Sequence, residues 1–198
     1  MSGDSQTAAQ YIQHHLQNMT YGQFPEGHNL AGQWGLAETA AEAKAMGFMA
    51  IHVDTMFWSI FLGALFLFLF KKVANTATTG VPGGMQNFVE MVVEFVDGSV
   101  KSGFNGRSPI VAPMALTIFI WVFLMNFMDL IPVDLLPLIA GWFGIQTIKV
   151  VPTTDLSLPM AMALVVFIVS LYFNFKVKGP LGYLKMFLFH PFGKKAVP

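Results

Sequence analysis

Three long apolar stretches without a charged residue dominate the pattern of the chain. They cover residues 55–70, 108–128 and 156–175, and charged residues bound each of them. An α-helix rises 1.5 Å per residue, so about 20 apolar residues cross a hydrocarbon core of about 30 Å. The pattern therefore predicts an all-α integral membrane protein with three transmembrane helices, at residues 51–70, 108–131 and 156–175.

A further helix is predicted over residues 85–101, and its pattern is amphipathic. At 100° per residue its polar side chains fall in one stripe about 80° wide, and apolar side chains fill the rest. The stripe is chiefly acidic, whereas helices that bind anionic lipid headgroups usually carry a basic face. This favours a surface helix that contacts protein, although an interfacial helix without a protein partner remains the alternative. The candidate partner-binding residues are Glu90, Glu94, Asp97 and Lys101.

The first 50 residues contain no stretch that could span a membrane. A short amphipathic helix is predicted near the start, because apolar residues recur at helical spacing from Ala8 to Met19. Residues 21–47 are rich in Gly, Pro, Asn and Gln, which indicates a loop or extension.

The distribution of basic residues predicts the orientation of the three spans. Nine of the eleven Lys and Arg residues lie between the first two spans or after the third. Basic residues accumulate on the cytoplasmic side of membrane proteins. We therefore expect residues 1–50 and 132–155 to be periplasmic, and residues 71–107 and 176–198 to be cytoplasmic.

Composition and missing motifs exclude several classes of function. Only 11% of the residues are charged, against about 25% in soluble domains, and the net charge of zero gives no attraction for nucleic acid. The chain has no cysteine and none of the common nucleotide, zinc or nucleophile motifs. His14 and His15 are adjacent and point to different helix faces, which does not suit a metal site. We expect no enzyme activity, cofactor, metal or nucleotide on this chain.

With this orientation, four aspartates lie at the periplasmic ends of the spans, and Asn126 lies about one turn deeper. An ionised aspartate at the bilayer centre costs about 2.5–3.5 kcal/mol, so membrane proteins place such residues at edges, cavities or partners. Two interpretations remain open. The aspartates are either helix-end residues or the mouth of an aqueous cavity that admits protons. They are Asp54, Asp129, Asp134 and Asp155.

Several segments resemble subunit a, the proton-channel stator subunit in the membrane sector of bacterial F-type ATP synthases. The match covers most of the chain and is poorest at residues 21–50. The segments are YIQHHLQN at residues 11–18, IHVDTMFWS at 51–59, GVPGGMQNFVEMVVEFVDGSVK at 80–101, APMALTIFIWVFLMNFMDLIPVDLLP at 112–137, VVPTTDLSLPMAMAL at 150–164 and HPFGKKAVP at 190–198.

The resemblance implies a five-span inner-membrane protein that packs against a rotor ring of small subunits carrying an essential carboxylate. It also implies that protons enter through a periplasmic half-channel and that the cytoplasmic helix meets the peripheral stalk, subunit b. The residues that match the family's half-channel are Asp54, Asn126, Asp129, Asp134 and Thr153, with Asp155 close by.

One departure from the family pattern limits this expectation. Family members carry an essential arginine in a segment of the type RLFGNMYAGE within a C-terminal helix pair, whereas the only arginine here is Arg107. We therefore expect the front portion of subunit a, from a fragmentary gene, an incomplete sequence or a split subunit, and no rotation driven by it alone. The alternatives are a non-conducting assembly scaffold and an unrelated small transporter.

Overall fold

The structure is a computed structural model that describes residues 17–104, 108–132, 135–142 and 148–189. Within these ranges the chain is mainly helical, with a small antiparallel sheet near the start. The helices are α1 Ala40–Ala45, α2 Val53–Thr76, α3 Gly84–Gly103, α4 Val111–Phe127, α5 Leu135–Trp142 and α6 Ser157–Phe189. The strands are β1 Thr20–Gln23, β2 Trp34–Leu36 and β3 Ile51–His52.

Three of the helices are long and apolar enough to cross a membrane. They are α2, α4 with the 3₁₀ turn Met128–Leu130 that follows it, and α6. The predicted all-α membrane fold with three spans is therefore confirmed. The large side chains on these helices are mostly exposed, among them Phe57, Phe61 and Phe167, as expected for surfaces that face lipid.

Two of the predicted span ends fall short of the observed helix ends. α2 continues past Lys71 and Lys72 to Thr76, and α6 continues past Lys176 to Phe189. The first charged residue is a poor marker of a helix end, because a lysine extends its aliphatic stem along the helix and places its ammonium group in water.

The helix α6 lies in a compact unit of its own, Leu156–Pro198, while Met1–Asp155 form the other unit. Its regular backbone is interrupted at Gly179, where φ is 69°, directly before Pro180. Glycine tolerates the positive φ, and proline lacks the N–H that would continue the helical hydrogen bonds. This Gly-Pro pair, rather than Lys176, marks the change in backbone direction.

α2 and α4 pack closely at one position. The indole Nε1 of Trp121 donates a hydrogen bond to the Ser59 carbonyl oxygen at 2.8 Å. A side chain at Gly63 would place its Cβ only 3.2 Å from the Trp121 ring, so glycine allows this close approach. α3 also packs against α4, where Phe95 and Phe119 lie 5.7 Å apart and Val96 is buried.

Residues 21–47, for which the sequence indicated only a loop or extension, contain a small sheet and a short helix. β1 pairs with β2 and β3, in the order β2-β1-β3, and Phe24, Ala37 and Met46 form a small core beside the sheet. A Cβ at Gly35 would lie 2.8 Å from the Phe24 ring, so the strand requires glycine there. Strands of two to four residues are too short to show an alternation of polar and apolar residues in the sequence. Their stability comes from packing against this core.

α1 begins with a capping box that the sequence analysis did not identify. Thr39 Oγ1 accepts a hydrogen bond from the Glu42 N–H, and Glu42 Oε2 accepts from the N–H groups of Glu38 and Thr39. The pKa of the Glu42 carboxyl is lowered from its usual value, chiefly by the hydrogen bond from the Glu38 N–H.

The segment 132–155 also contains regular structure that was not predicted. It includes the short helix α5 and the 3₁₀ turn Pro152–Thr154. That turn packs against the start of α2 and the end of α4, and it carries the residues discussed next. Most of the predicted N-terminal helix, Ala8–Met19, lies outside the described residues.

Candidate functional site

Five polar residues meet where the start of α2, the end of α4 and the 3₁₀ turn come together. Three sets of hydrogen bonds link these elements, and all of them involve the segment from Lys149 to Asp155. We call this group the polar cluster. It consists of His52, Asp54, Asn126, Thr153 and Asp155.

Asp54 is the most deeply buried member, with 1% of its surface exposed. Its Oδ2 accepts hydrogen bonds from the backbone N–H groups of Met19 and Lys149, each at 2.9 Å, and its Oδ1 accepts from the Thr55 N–H at 2.8 Å. A carboxylate in the first turn also interacts favourably with the helix dipole. Asp54 therefore joins three distant parts of the chain, and its oxygens are bonded within the protein rather than open to solvent.

Asn126 and Thr153 form a direct link between α4 and the 3₁₀ turn. The Thr153 hydroxyl donates to Asn126 Oδ1 at 3.0 Å, while Asn126 Nδ2 donates to the Val122 carbonyl oxygen at 2.8 Å. Asn126 is exposed and Thr153 is partly exposed. A hydroxyl and an amide each retain capacity for a further hydrogen bond, so this pair can exchange hydrogen bonds with water.

Asp155 pairs with a residue that the sequence analysis did not assign. Its Oδ2 lies 2.5 Å from His52 Nδ1, with 7% of the Asp155 side chain and 35% of the His52 side chain exposed. Asn18 Nδ2 lies 2.9 Å from the same ring nitrogen. In the sequence, only the position of His52 two residues before Asp54 pointed to it. Its partner Asp155 is 103 positions away, so no local pattern could reveal the pair.

Asp129 lies apart from these hydrogen bonds and lines an open cavity of about 200 Å³. Its side chain is exposed, and Lys149 and Thr154 are the other polar residues of this cavity. The remaining lining residues are apolar: Met128, Ile131, Pro132, Pro137, Ile148, Val150 and Val151. Asp134, which was predicted beside Asp129, lies outside the described residues.

The predicted partner-binding residues lie on α3 and make no contact with the polar cluster among the hydrogen bonds given above. Asp97 pairs with Lys101 at 2.5 Å, and Glu90 Oε1 accepts from Gln86 Nε2 at 2.7 Å. The C-terminal part of α3 borders the start of α4, whereas Asn126 lies near the other end of α4. A 17-residue helix is about 25 Å long, so Asp97 and Lys101 lie at the opposite end of α4 from Asn126.

Comparison with known proteins agrees with the predicted resemblance. Residues 56–198 match the family model described as ATP synthase A chain. The chain is 53% identical over 207 residues to ATP synthase subunit a of Marinomonas sp. (strain MWYL1), covering 100% of this chain and 72% of that protein. It is 54% identical to ATP synthase subunit a of Pseudomonas putida (strain GB-1), covering 98% of this chain and 66% of that protein.

A third relative is ATP synthase subunit a 2 of Hahella chejuensis (strain KCTC 2396), which is 52% identical over 204 residues, with 100% of this chain and 71% of that protein covered. The chain thus spans about two thirds to seven tenths of the length of these relatives. A match of this extent and identity, together with the three apolar helices, establishes that the chain belongs to the ATP synthase A chain family.

Proposed function

We propose that this chain is a non-catalytic stator subunit in the membrane sector of a bacterial F-type ATP synthase, where it lines the periplasmic entry of the proton path. The observation that carries the proposal is the Asn126–Thr153 hydrogen bond at the end of a membrane helix, in a chain of this family. Proton transfer through an apolar region needs groups that both donate and accept hydrogen bonds, and this pair supplies them. The protein then belongs to the inner membrane.

The members of the entry have different roles in this proposal. Asp129, exposed on the cavity, attracts protons from the periplasmic solution, and Asn126, Thr153 and Asp155 continue the path inward. We assign Asp54 to holding the entry together, because three backbone N–H groups already occupy its oxygens. Asp134 belongs to the proposed entry on the family resemblance alone.

The proposed partners are the rotor ring and subunit b of the peripheral stalk. The polar stripe of α3 supports the stalk contact, because Glu90, Glu94 and Lys101 are exposed there. Asp97 and Lys101 neutralise each other within the stripe, so net negative charge remains at Glu90 and Glu94. A basic surface on the stalk would complement it.

Replacement of Asp129 by alanine tests the role in proton entry. We expect passive proton conduction by the membrane sector to fall about fivefold, because a carboxylate about 4 Å from a proton in water contributes about 1 kcal/mol of attraction. The change is made in the chromosomal gene, and conduction is measured in inverted vesicles stripped of the catalytic sector. Glu26→Ala, which removes an exposed carboxylate from the same proposed periplasmic side, is the control and should conduct normally.

Unchanged conduction by the Asp129→Ala protein, at a normal amount of assembled complex, would contradict the role of Asp129. A chain that copurifies with the rotor and stalk subunits in membranes that conduct no protons would instead support the scaffold alternative.

The predicted orientation is tested by cysteine labelling, since the chain has no cysteine of its own. Ala31→Cys and Ser102→Cys place single thiols at exposed positions in the proposed periplasmic and cytoplasmic segments. A membrane-impermeant maleimide should label Ala31→Cys in cells with a permeabilised outer membrane, and Ser102→Cys only in inverted vesicles. Labelling of Ser102→Cys from the periplasmic side would overturn the orientation.

A further inference from the structure

We propose that His52 is an additional residue of the proton entry, which carries protons between the periplasmic solution and the buried carboxylate of Asp155. The inference rests on the proposed function and adds a residue to it. Its basis is the direct contact between a partly exposed imidazole and a carboxylate that solvent barely reaches.

The geometry of the pair suits a proton relay. His52 Nδ1 lies 2.5 Å from Asp155 Oδ2, and 35% of the histidine side chain is exposed against 7% of the aspartate. An imidazole has two nitrogens, so it can accept a proton on one and donate a proton from the other. Solvent can thus reach the histidine, and the histidine reaches the buried carboxylate.

The surroundings hold the histidine in this position. The backbone of His52 pairs with Thr20 in the sheet, and Asn18 Nδ2 lies 2.9 Å from the ring nitrogen. With a proton on Nδ1 the ring donates at this position, so the Asn18 amide must present Oδ1 to it, which a half-turn of the amide group allows. The same half-turn gives a donor to Asn18 Oδ1, which is otherwise buried without a hydrogen-bond partner among the described residues.

The relay step is balanced in protons and charge. A proton from a periplasmic hydronium ion or buffer acid binds Nε2 of the neutral ring, and the proton on Nδ1 passes to the Asp155 carboxylate. The products are a neutral carboxylic acid and a neutral imidazole with its proton on Nε2. Loss of the Asp155 proton to the inner path restores the carboxylate, and exchange with water restores the Nδ1 tautomer.

The next groups along the path lie in the same turn. Thr153 is two residues before Asp155, and its hydroxyl donates to Asn126 on α4. Three consecutive residues therefore connect the His52 contact to the Asn126 contact. Asp54 is close in sequence, but its oxygens are bonded to the Met19, Thr55 and Lys149 backbone, so it does not compete for the His52 ring.

Two substitutions separate a relay from a purely structural pair. His52→Asn keeps a side-chain N–H near the position of Nδ1, and His52→Gln keeps one near Nε2, but neither amide can carry a proton at neutral pH. Removal of a positioned acid–base group typically lowers the rate of proton transfer 10²–10⁴-fold. Water in the open entry should carry some of the protons instead, which makes the fall smaller. We expect about a tenfold fall in passive proton conduction for both variants, at a normal amount of assembled complex.

The measurement uses inverted vesicles whose lumen, the former periplasmic side, is loaded with or without imidazole. Free imidazole should restore conduction to the His52 variants and leave the unchanged protein as before. Wild-type conduction in a His52 variant that assembles, or a loss that imidazole does not restore, would overturn the relay. Asp129→Ala in the same assay separates the His52 relay from the proposed function. Slowed conduction in Asp129→Ala but not in the His52 variants would reject the relay and leave the proposed function in place.

Discussion

Membranes that carry Asp54→Ala are expected to contain less than about a tenth of the normal amount of the chain. The substitution leaves the N–H groups of Met19, Thr55 and Lys149 without their acceptor. Each unsatisfied buried donor costs about 1–3 kcal/mol, and proteins are stable by only about 5–15 kcal/mol in total. The connection between the sheet, α2 and the segment before the 3₁₀ turn should therefore fail.

The amount of chain in the membrane is measured by quantitative immunoblotting against an unrelated inner-membrane protein. Glu26→Ala is the control, because it removes an exposed carboxylate from the turn between β1 and β2. Substitutions at such surface positions usually change stability by at most about 0.5 kcal/mol, so the amount should not change. Asp54→Asn, which keeps one acceptor oxygen, should fall between the two. A normal amount of the Asp54→Ala chain would show that these hydrogen bonds do not hold the polar cluster together.

Asn126→Leu is expected to slow proton conduction about tenfold to a hundredfold while the chain still assembles. Leucine is close to asparagine in size but cannot accept from the Thr153 hydroxyl, which loses its partner at 3.0 Å. A hydrogen bond to a charged group contributes about 1.5–3 kcal/mol, so a passing proton loses about that stabilisation without Asn126, and 1.36 kcal/mol on a barrier is tenfold in rate. Because Asn126 is exposed and lies on a helix that leucine favours, the fold should tolerate the change.

Asn174 on α6 provides a close control for this substitution. Its Nδ2 donates to the Ser170 carbonyl oxygen at 2.8 Å, the same intrahelical bond that Asn126 makes with Val122. Asn174→Leu therefore removes that bond from another membrane helix without touching Thr153, and conduction should stay normal. Equal slowing by both substitutions would mean that the intrahelical bond, rather than the link to Thr153, explains the result.

Substitutions on α3 and substitutions in the polar cluster should act independently of each other. Asp97 and Lys101 border the start of α4, and the polar cluster lies at its other end. Substitutions more than about 7–10 Å apart with no shared partner usually act additively. Changes at Asp97 or Lys101 should thus affect complex assembly, and changes at Asn126 or Asp129 should affect conduction, without coupling between them.

The sequence by itself determined the three membrane helices and the family. Charge-free stretches of about 20 residues leave few alternatives, because every backbone polar group inside a bilayer must be bonded within its own helix. The sequence also placed Asp54, Asn126, Asp129 and Asp155 near helix ends, where hydrophobicity changes. These features are local, so pattern alone could reveal them.

Only the tertiary structure decided which of these residues are open to solvent and which are buried. Asp54 and Asp129 look alike in sequence, but Asp54 is bonded to three backbone N–H groups and Asp129 lines a cavity. His52 acquired a candidate role only when the fold placed it against Asp155. The physical reason is that burial and hydrogen-bond partners depend on segments about 100 positions apart, and no periodicity within one segment records which distant segment will cover it.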